Sequence, residues 1–192
     1  MIKIRNFSKR ELYNNFNLDI NDGITYLKGK NGSGKTTLLD CISGLDTSYS
    51  GTITGNENIV YLNQQLYFSG RLKAKDMVQF LLRLQKIKNY KEYYWSKMEE
   101  YKKIFDYEKI WEKEIRMLSG GELKLFFFTI ISVIEKKNYI FDEPFASVDS
   151  AGKELIILIL KKLVRQEKNI IITSHEEEFK SKFNDISIID LG

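Results

Sequence analysis

The sequence predicts an α/β fold with a mostly parallel sheet core, an antiparallel N-terminal flank and an inserted helical lobe. Three observations carry that prediction. After Gly23, short apolar runs alternate with helix-length segments, the pattern of parallel strands joined by helical crossovers. Before it, Ile2-Lys3-Ile4 and Phe16-Asn17-Leu18-Asp19-Ile20 alternate apolar and polar residues, as half-buried strands do. Between Arg71 and Met117 the apolar spacing becomes helical. The expected organisation is a single domain over 1–192, with an α/β core at 1–70 and 118–192 and a helical subdomain at 71–117.

Each element has its own local reason. Asn21-Asp22-Gly23 is a turn signal, and Ile24 to Lys28 then reads as a strand entering a glycine-rich loop. Thr36 to Ser43 reads as the following helix, ended near Gly44. Gly51 to Ile53 and Ile59 to Leu62 read as short strands. Met77, Phe80, Leu81 and Leu84 fall at i, i+3, i+4 and i+7 of an amphipathic helix. Trp95, Met98, Tyr101 and Phe105 mark a second helical face among lysines and glutamates. Ser119-Gly120-Gly121 interrupts, and Leu123 to Ile134 reads as a buried core helix. Tyr139 to Phe141, Asn169 to Thr173 and Ile186 to Asp190 read as strands, with a helix over Lys153 to Arg165.

Bulk properties narrow the classes. A chain of 192 residues can bury a sizeable core, and a net charge of +4 is too small and dispersed to argue for nucleic acid. Cys41 is the single cysteine, so no internal disulfide forms, which fits a reducing compartment. MIKIRNFSKR is not followed by an apolar run, so no signal peptide is expected. No apolar stretch reaches the length of a spanning helix.

Gly29-Lys30-Asn31-Gly32-Ser33-Gly34-Lys35-Thr36 matches GxxxxGK[ST] in full. Glycines let successive backbone N–H groups turn toward phosphate oxygens, and the next helix adds its positive end. Lys35 is expected between the β- and γ-phosphates, with the Thr36 hydroxyl on Mg²⁺ and Thr37 counted among the nucleotide-binding residues. Asn138 to Phe141 runs apolar into Asp142-Glu143-Pro144, which holds the single proline of the chain. Asp142 is expected to hold Mg²⁺, and Glu143 to orient and deprotonate an attacking water. His175, the single histidine, ends another apolar strand, where ligands of open α/β sheets collect. Its neutral ring can hydrogen-bond the γ-phosphate and that water.

With these motifs the chain resembles the nucleotide-binding domain of ATP-binding cassette (ABC) proteins, a P-loop NTPase fold. The order agrees throughout: GKNGSGKT, Gln64 in YLNQ, Leu118-Ser119-Gly120-Gly121-Glu122, IFDEP, Ser147-Val148-Asp149, and Ser174-His175. The resemblance implies that Gln64 touches Mg²⁺ and water and links the site to the helical lobe. It implies that Ser119, Gly120 and Gly121 bind the γ-phosphate of an opposing subunit. Asp149 is implied at the dimer interface, with Glu143, His175 and Lys35 catalytic. ATP and Mg²⁺ are the implied cofactors. The implied partners are a second nucleotide-binding domain, identical or not, and an integral membrane permease, with no nucleic acid. The implied location is the cytoplasmic face of a membrane.

The sequence also departs from the family. An aromatic residue that stacks on adenine is expected near Lys9 or Arg10, where Phe7 and Tyr13 are nearby and Arg10 offers a guanidinium plane. Weak discrimination between ATP and GTP is therefore expected. Glu122 stands where glutamine is common, Leu123-Lys124-Leu125-Phe126 replaces a Gln-Arg pair, and Val148 replaces a leucine. The leading expectation is an ATPase subunit of an ABC transporter. Its rivals are an ABC ATPase of assembly or remodelling without a membrane partner, such as iron–sulfur cluster assembly, and a module that closes on ATP without turnover.

Overall fold

The computed structural model describes residues 1–64 and 69–192, with backbone alone at 177 and 178. The chain divides into two compact units. The first comprises Met1–Gln64, Lys136–Glu143 and Leu160–Gly192, the second Gln65–Glu135 and Pro144–Ile159.

The strands are β1 (Ile2–Lys9), β2 (Tyr13–Ile20), β3 (Ile24–Lys28), β4 (Ser50–Thr54), β5 (Ile59–Leu62), β6 (Asn138–Phe141), β7 (Asn169–Ile172) and β8 (Ser187–Asp190). The helices are α1 (Lys35–Ser43), α2 (Ala74–Leu84), α3 (Tyr90–Met98), α4 (Tyr107–Ile110), α5 (Gly120–Val133) and α6 (Ser150–Arg165). One sheet is antiparallel in the order β2-β1-β4, and the other runs β5-β6-β7-β3-β8 with parallel pairs. This is the α/β architecture expected from the sequence: parallel core, antiparallel flank and helical insertion.

The register of the parallel sheet aligns the strand ends. Leu62 pairs with Phe141, Phe141 with Ile172, and Tyr26 with Ile172. The segments that follow β3, β5, β6 and β7 therefore leave the sheet along one edge. Strands β6 and β7 are buried at every position, as expected of strands covered on both faces. Ile2, Ile4 and Phe7 of β1 pack with Leu38, Leu39 and Ile42 of α1 in one apolar cluster.

Strands β1 and β2 extend beyond their alternating stretches. Register shifts interrupt their pairing, and Asn6 and Asn15 adopt positive φ of 50° and 52°. Such bulges break the period-2 pattern that would reveal a longer strand. The second helical face is also divided. Helix α3 ends at Met98, a 3₁₀ turn covers Glu99–Tyr101, and Asp106 caps α4 by accepting the Lys109 N–H. The apolar members of that face nevertheless pack inward, with Met98, Tyr101 and Phe105 all buried. In the second unit Tyr94 is fully buried, stacks near Trp111 and shares a 2.7 Å hydrogen bond with Thr129. Helix α5 is buried almost all round, which suits a core helix.

Candidate functional site

The first unit carries a cleft of about 310 Å³. It is lined by Asn31, Gly32, Gly34, Lys35, Thr36, Thr37, Gln64, Asp142, Glu143 and His175, together with Leu12. Parallel register brings these residues together from the ends of β3, β5, β6 and β7.

The glycine loop enters α1 through Gly34, which sits at φ +90°. A Cβ there would lie 2.9 Å from the Tyr13 ring, and the Tyr13 hydroxyl donates to the Gly34 carbonyl at 3.1 Å. Glycine is thus required by both backbone conformation and close approach. The Leu38 N–H donates to the Gly34 carbonyl, so the amides of residues 35–37 precede the helical ladder. No acidic residue occupies the first turn of α1. Free amides at a helix N-terminus without local carboxylates suit an anion. The Lys35 ammonium donates to the carbonyls of Gly29 (2.6 Å) and Lys30 (2.9 Å).

Asp142 is buried at the end of β6. Its Oδ2 accepts the Thr36 hydroxyl at 2.9 Å, and its Oδ1 accepts the Thr173 hydroxyl. Beside it, Glu143 adopts φ +53°, an uncommon conformation for a residue with a long side chain. The Glu143 N–H donates to Thr173 Oγ1 at 2.9 Å, and Glu143 Oε2 accepts the His175 N–H at 3.1 Å. The other carboxylate oxygen, Oε1, is buried with no hydrogen-bond partner among the described residues. His175 Nε2 lies 3.4 Å from it, beyond hydrogen-bond geometry, and the His175 side chain is largely exposed.

Among the described residues no cluster of three or more His, Cys, Asp or Glu could hold a metal by itself. The Thr36–Asp142 pair does offer hard oxygen donors, with the Gln64 amide on the same cleft. That donor set fits Mg²⁺, which uses one or two protein ligands and takes the rest from phosphate and water.

Ser119, Gly120, Gly121 and Asp149 are not among the cleft-lining residues and belong to the second unit. Ser119 caps α5 in a reciprocal box. Its Oγ accepts the Glu122 N–H at 3.2 Å, and Glu122 Oε2 accepts the Ser119 N–H at 2.8 Å. That backbone bond holds the Glu122 carboxyl below the usual range. A Cβ at Gly120 would meet nothing within 4 Å, whereas one at Gly121 would lie 2.9 Å from the Ser147 carbonyl. Gly120 therefore leaves the helix end open, and Gly121 admits the neighbouring loop. Asp149 Oδ1 accepts the Gly152 N–H at 2.8 Å at the start of α6.

Sequence reasoning missed Leu12. It is 45% exposed and, among the described residues, is the one aliphatic side chain lining the cleft. Lys9 is instead buried, with its ammonium 2.6 Å from Asp46 Oδ2. Phe7 and Tyr13 are core residues, and Arg10 is not among the lining residues. A leucine beside a turn carries no sequence signal that separates a ligand contact from the core.

A model of ABC transporter proteins matches residues 13–146. The chain belongs to the ABC transporter family. It is an ABC-type ATPase. The lipoprotein-releasing system ATP-binding protein of Leptospira interrogans is 32% identical over 198 residues, covering 93% of this ABC chain and 82% of that protein. The zinc import ATP-binding protein of Ehrlichia chaffeensis is 27% identical, covering 90% of this chain and 71% of its own length. Among solved structures, the ATP-binding subunit of an ABC transporter superimposes with a TM-score of 0.85 at 16% identity, covering 100% of this chain and 86% of that one. A dimeric bacterial ABC transporter cassette gives 0.82 at 22% identity, covering 100% and 95%. These structural likenesses establish the ABC fold.

Proposed function

We propose that this chain is the ATP-binding subunit of a transporter, hydrolysing ATP within a head-to-tail pair of cassettes to drive a separate membrane subunit. The observation that carries the reading is the buried Glu143 carboxylate, whose partnerless oxygen shares a cleft with Lys35, Thr36, Asp142 and His175.

The chemistry follows from that arrangement. The loop amides and the α1 N-terminus receive the phosphates of ATP, and the Lys35 ammonium exchanges its two carbonyl acceptors for phosphate oxygens. Glu143 Oε1, short of a donor, accepts a hydrogen bond from the attacking water and then its proton. His175 stands beside that oxygen and steadies the water and the γ-phosphate. Thr36, Asp142 and Gln64 are the residues that would hold Mg²⁺, which would supply positive charge against the phosphates. Catalysis is then chiefly positioning and charge neutralisation.

Ser119 and Gly120 present an open helix N-terminus. In the proposed pair they supply donors to the nucleotide on the facing cassette, and Asp149 lies at the contact. On α2, Phe80 and Leu84 are 57% and 62% exposed at i, i+4 spacing, bordered by Asp76, Gln79 and Arg83. An exposed apolar pair with a polar rim suits a short helix of a membrane partner. Among the described residues no helix is long and apolar enough to cross a membrane, so the crossing falls to that partner. The chain then works at the cytoplasmic face. The named relatives act in lipoprotein release and zinc import, and that supports transport while leaving the cargo to the permease.

Glu143→Gln tests the reading. It should keep ATP binding, lower phosphate release by about 10²- to 10⁴-fold, and accumulate an ATP-dependent dimer detected by light scattering. Normal turnover in that variant would remove Glu143 as the base, and an ATP-bound monomer would remove the paired mechanism.

A further inference from the structure

Tyr13 of β2 stands behind the phosphate loop rather than in the cleft. It is buried in the apolar cluster that joins β1 to α1, its ring 5.2 Å from that of Phe7 and 5.1 Å from that of Phe16. From there its hydroxyl reaches the Gly34 carbonyl at 3.1 Å, and since a carbonyl only accepts, the phenol is the donor. The same carbonyl accepts the Leu38 N–H at 2.8 Å. Gly34 is the N-cap of α1 and has no side chain to cap it, so nothing of its own resists rotation of the Gly34–Lys35 peptide. Gly34 and Lys35 line the cleft, whereas Tyr13 does not. In a trans peptide the C=O and the N–H point in opposite directions. A carbonyl held toward Tyr13 and the helix therefore leaves the Lys35 N–H facing the other way, out of the core.

We propose that Tyr13 is a positioning residue for phosphate binding: its hydroxyl fixes the Gly34–Lys35 peptide so that the Lys35 N–H is aimed at the β-phosphate of the nucleotide. The inference rests on the proposed seating of the ATP phosphates on this loop and deepens it. Two effects add. The bond to Gly34 restricts the peptide before the ligand arrives, which lowers the ordering cost of binding. It also polarises the peptide unit, so that a carbonyl accepting hydrogen bonds makes its N–H a stronger donor. Tyr13 itself touches no phosphate. Its ring packs in the core, and its hydroxyl serves the site. The β-phosphate is present in ATP, in the transition state and in ADP. The contribution is therefore alike in all three and belongs to binding rather than to the chemical step.

Tyr13→Phe removes the hydroxyl and keeps the ring. The Gly34 carbonyl retains the Leu38 N–H, so no buried acceptor is orphaned and the variant should melt near the wild type. Fluorescent ATP and ADP analogues should each bind about 3- to 10-fold more weakly, by the same factor, while kcat at saturating ATP stays within about 2-fold. In the wild type, ADP should move the Lys35 amide proton resonance downfield. That shift should shrink in Tyr13→Phe while the shift at Gly32 persists, a local signature that a packing role would not produce. Unchanged affinity, a fall in kcat alone, or an undiminished Lys35 shift overturns the positioning role and leaves the proposed function standing. A wild type that binds neither nucleotide overturns the seating of phosphates on this loop, and the role of Tyr13 with it.

Discussion

At the tip of the β1–β2 hairpin, Lys9 turns inward to Asp46 while Leu12 turns outward to the cleft. The Lys9 hydrogen bond, aided by Ser48, holds the Asp46 carboxyl well below the usual range, so this lysine is committed to the fold. Leu12 then offers a nucleobase an apolar face and nothing that reads its edge. A surface without directed donors and acceptors discriminates poorly between bases of similar shape. ATP and GTP should therefore bind within about 3-fold of each other in competition titrations. Leu12→Trp should tighten both by about 10-fold, the scale of base–aromatic stacking. A strong ATP preference in the wild type would show that another residue reads the base.

Helix α5 performs two tasks at one end. Its capping box satisfies the Ser119 and Glu122 amides, and its open Gly120 leaves the terminus accessible. Two substitutions separate these tasks. Ser119→Ala should cost about 1 kcal/mol through the lost cap, whereas Ser119→Gly costs only a few tenths, about the smallest penalty at an N-cap. Both remove the hydroxyl proposed to reach the facing nucleotide. Ser119→Gly should therefore unfold near the wild-type temperature and still lose most ATP turnover. Wild-type turnover in that variant would reduce Ser119 to a structural cap. The same helix shows how one motif mixes reasons: Gly121 is there to admit the Ser147 carbonyl, a packing demand that SGG alone does not disclose.

At the scale of the whole molecule, the proposed coupling of ATP hydrolysis to a membrane partner runs through the protein surface. Phe80 and Leu84 are the exposed large apolar residues of α2, while Met77, Val78 and Leu82 of the same helix are buried. The inward face holds the second unit together, and the outward pair is free of that duty. Phe80→Asp together with Leu84→Asp should leave the melting temperature and ATP turnover of the isolated protein nearly unchanged, as substitutions on an exposed face usually do. The variant should fail to co-purify with a membrane protein that the wild type retains. Equal retention would move the docking surface elsewhere.

Phosphate binding was legible in the sequence because it is a local task. A run of glycines, a lysine and a threonine shapes one loop, and GKNGSGKT spells that loop out. The α/β class was legible because strand and helix periods are local as well, apart from the bulges of β1 and β2 and the break at Glu99. Strand-end position and motif order named Asp142, Glu143 and His175, but their convergence depends on the register of β6 against β7 and β3. Thr36 meets Asp142 across 106 residues of chain, a distance no local period spans. The outward turn of Leu12 and the inward turn of Lys9 are likewise products of packing. Contiguous residues dictate the shape of a loop. Only the assembled sheet decides which side chains from distant strands share a cleft, because register is settled by burial across the whole core.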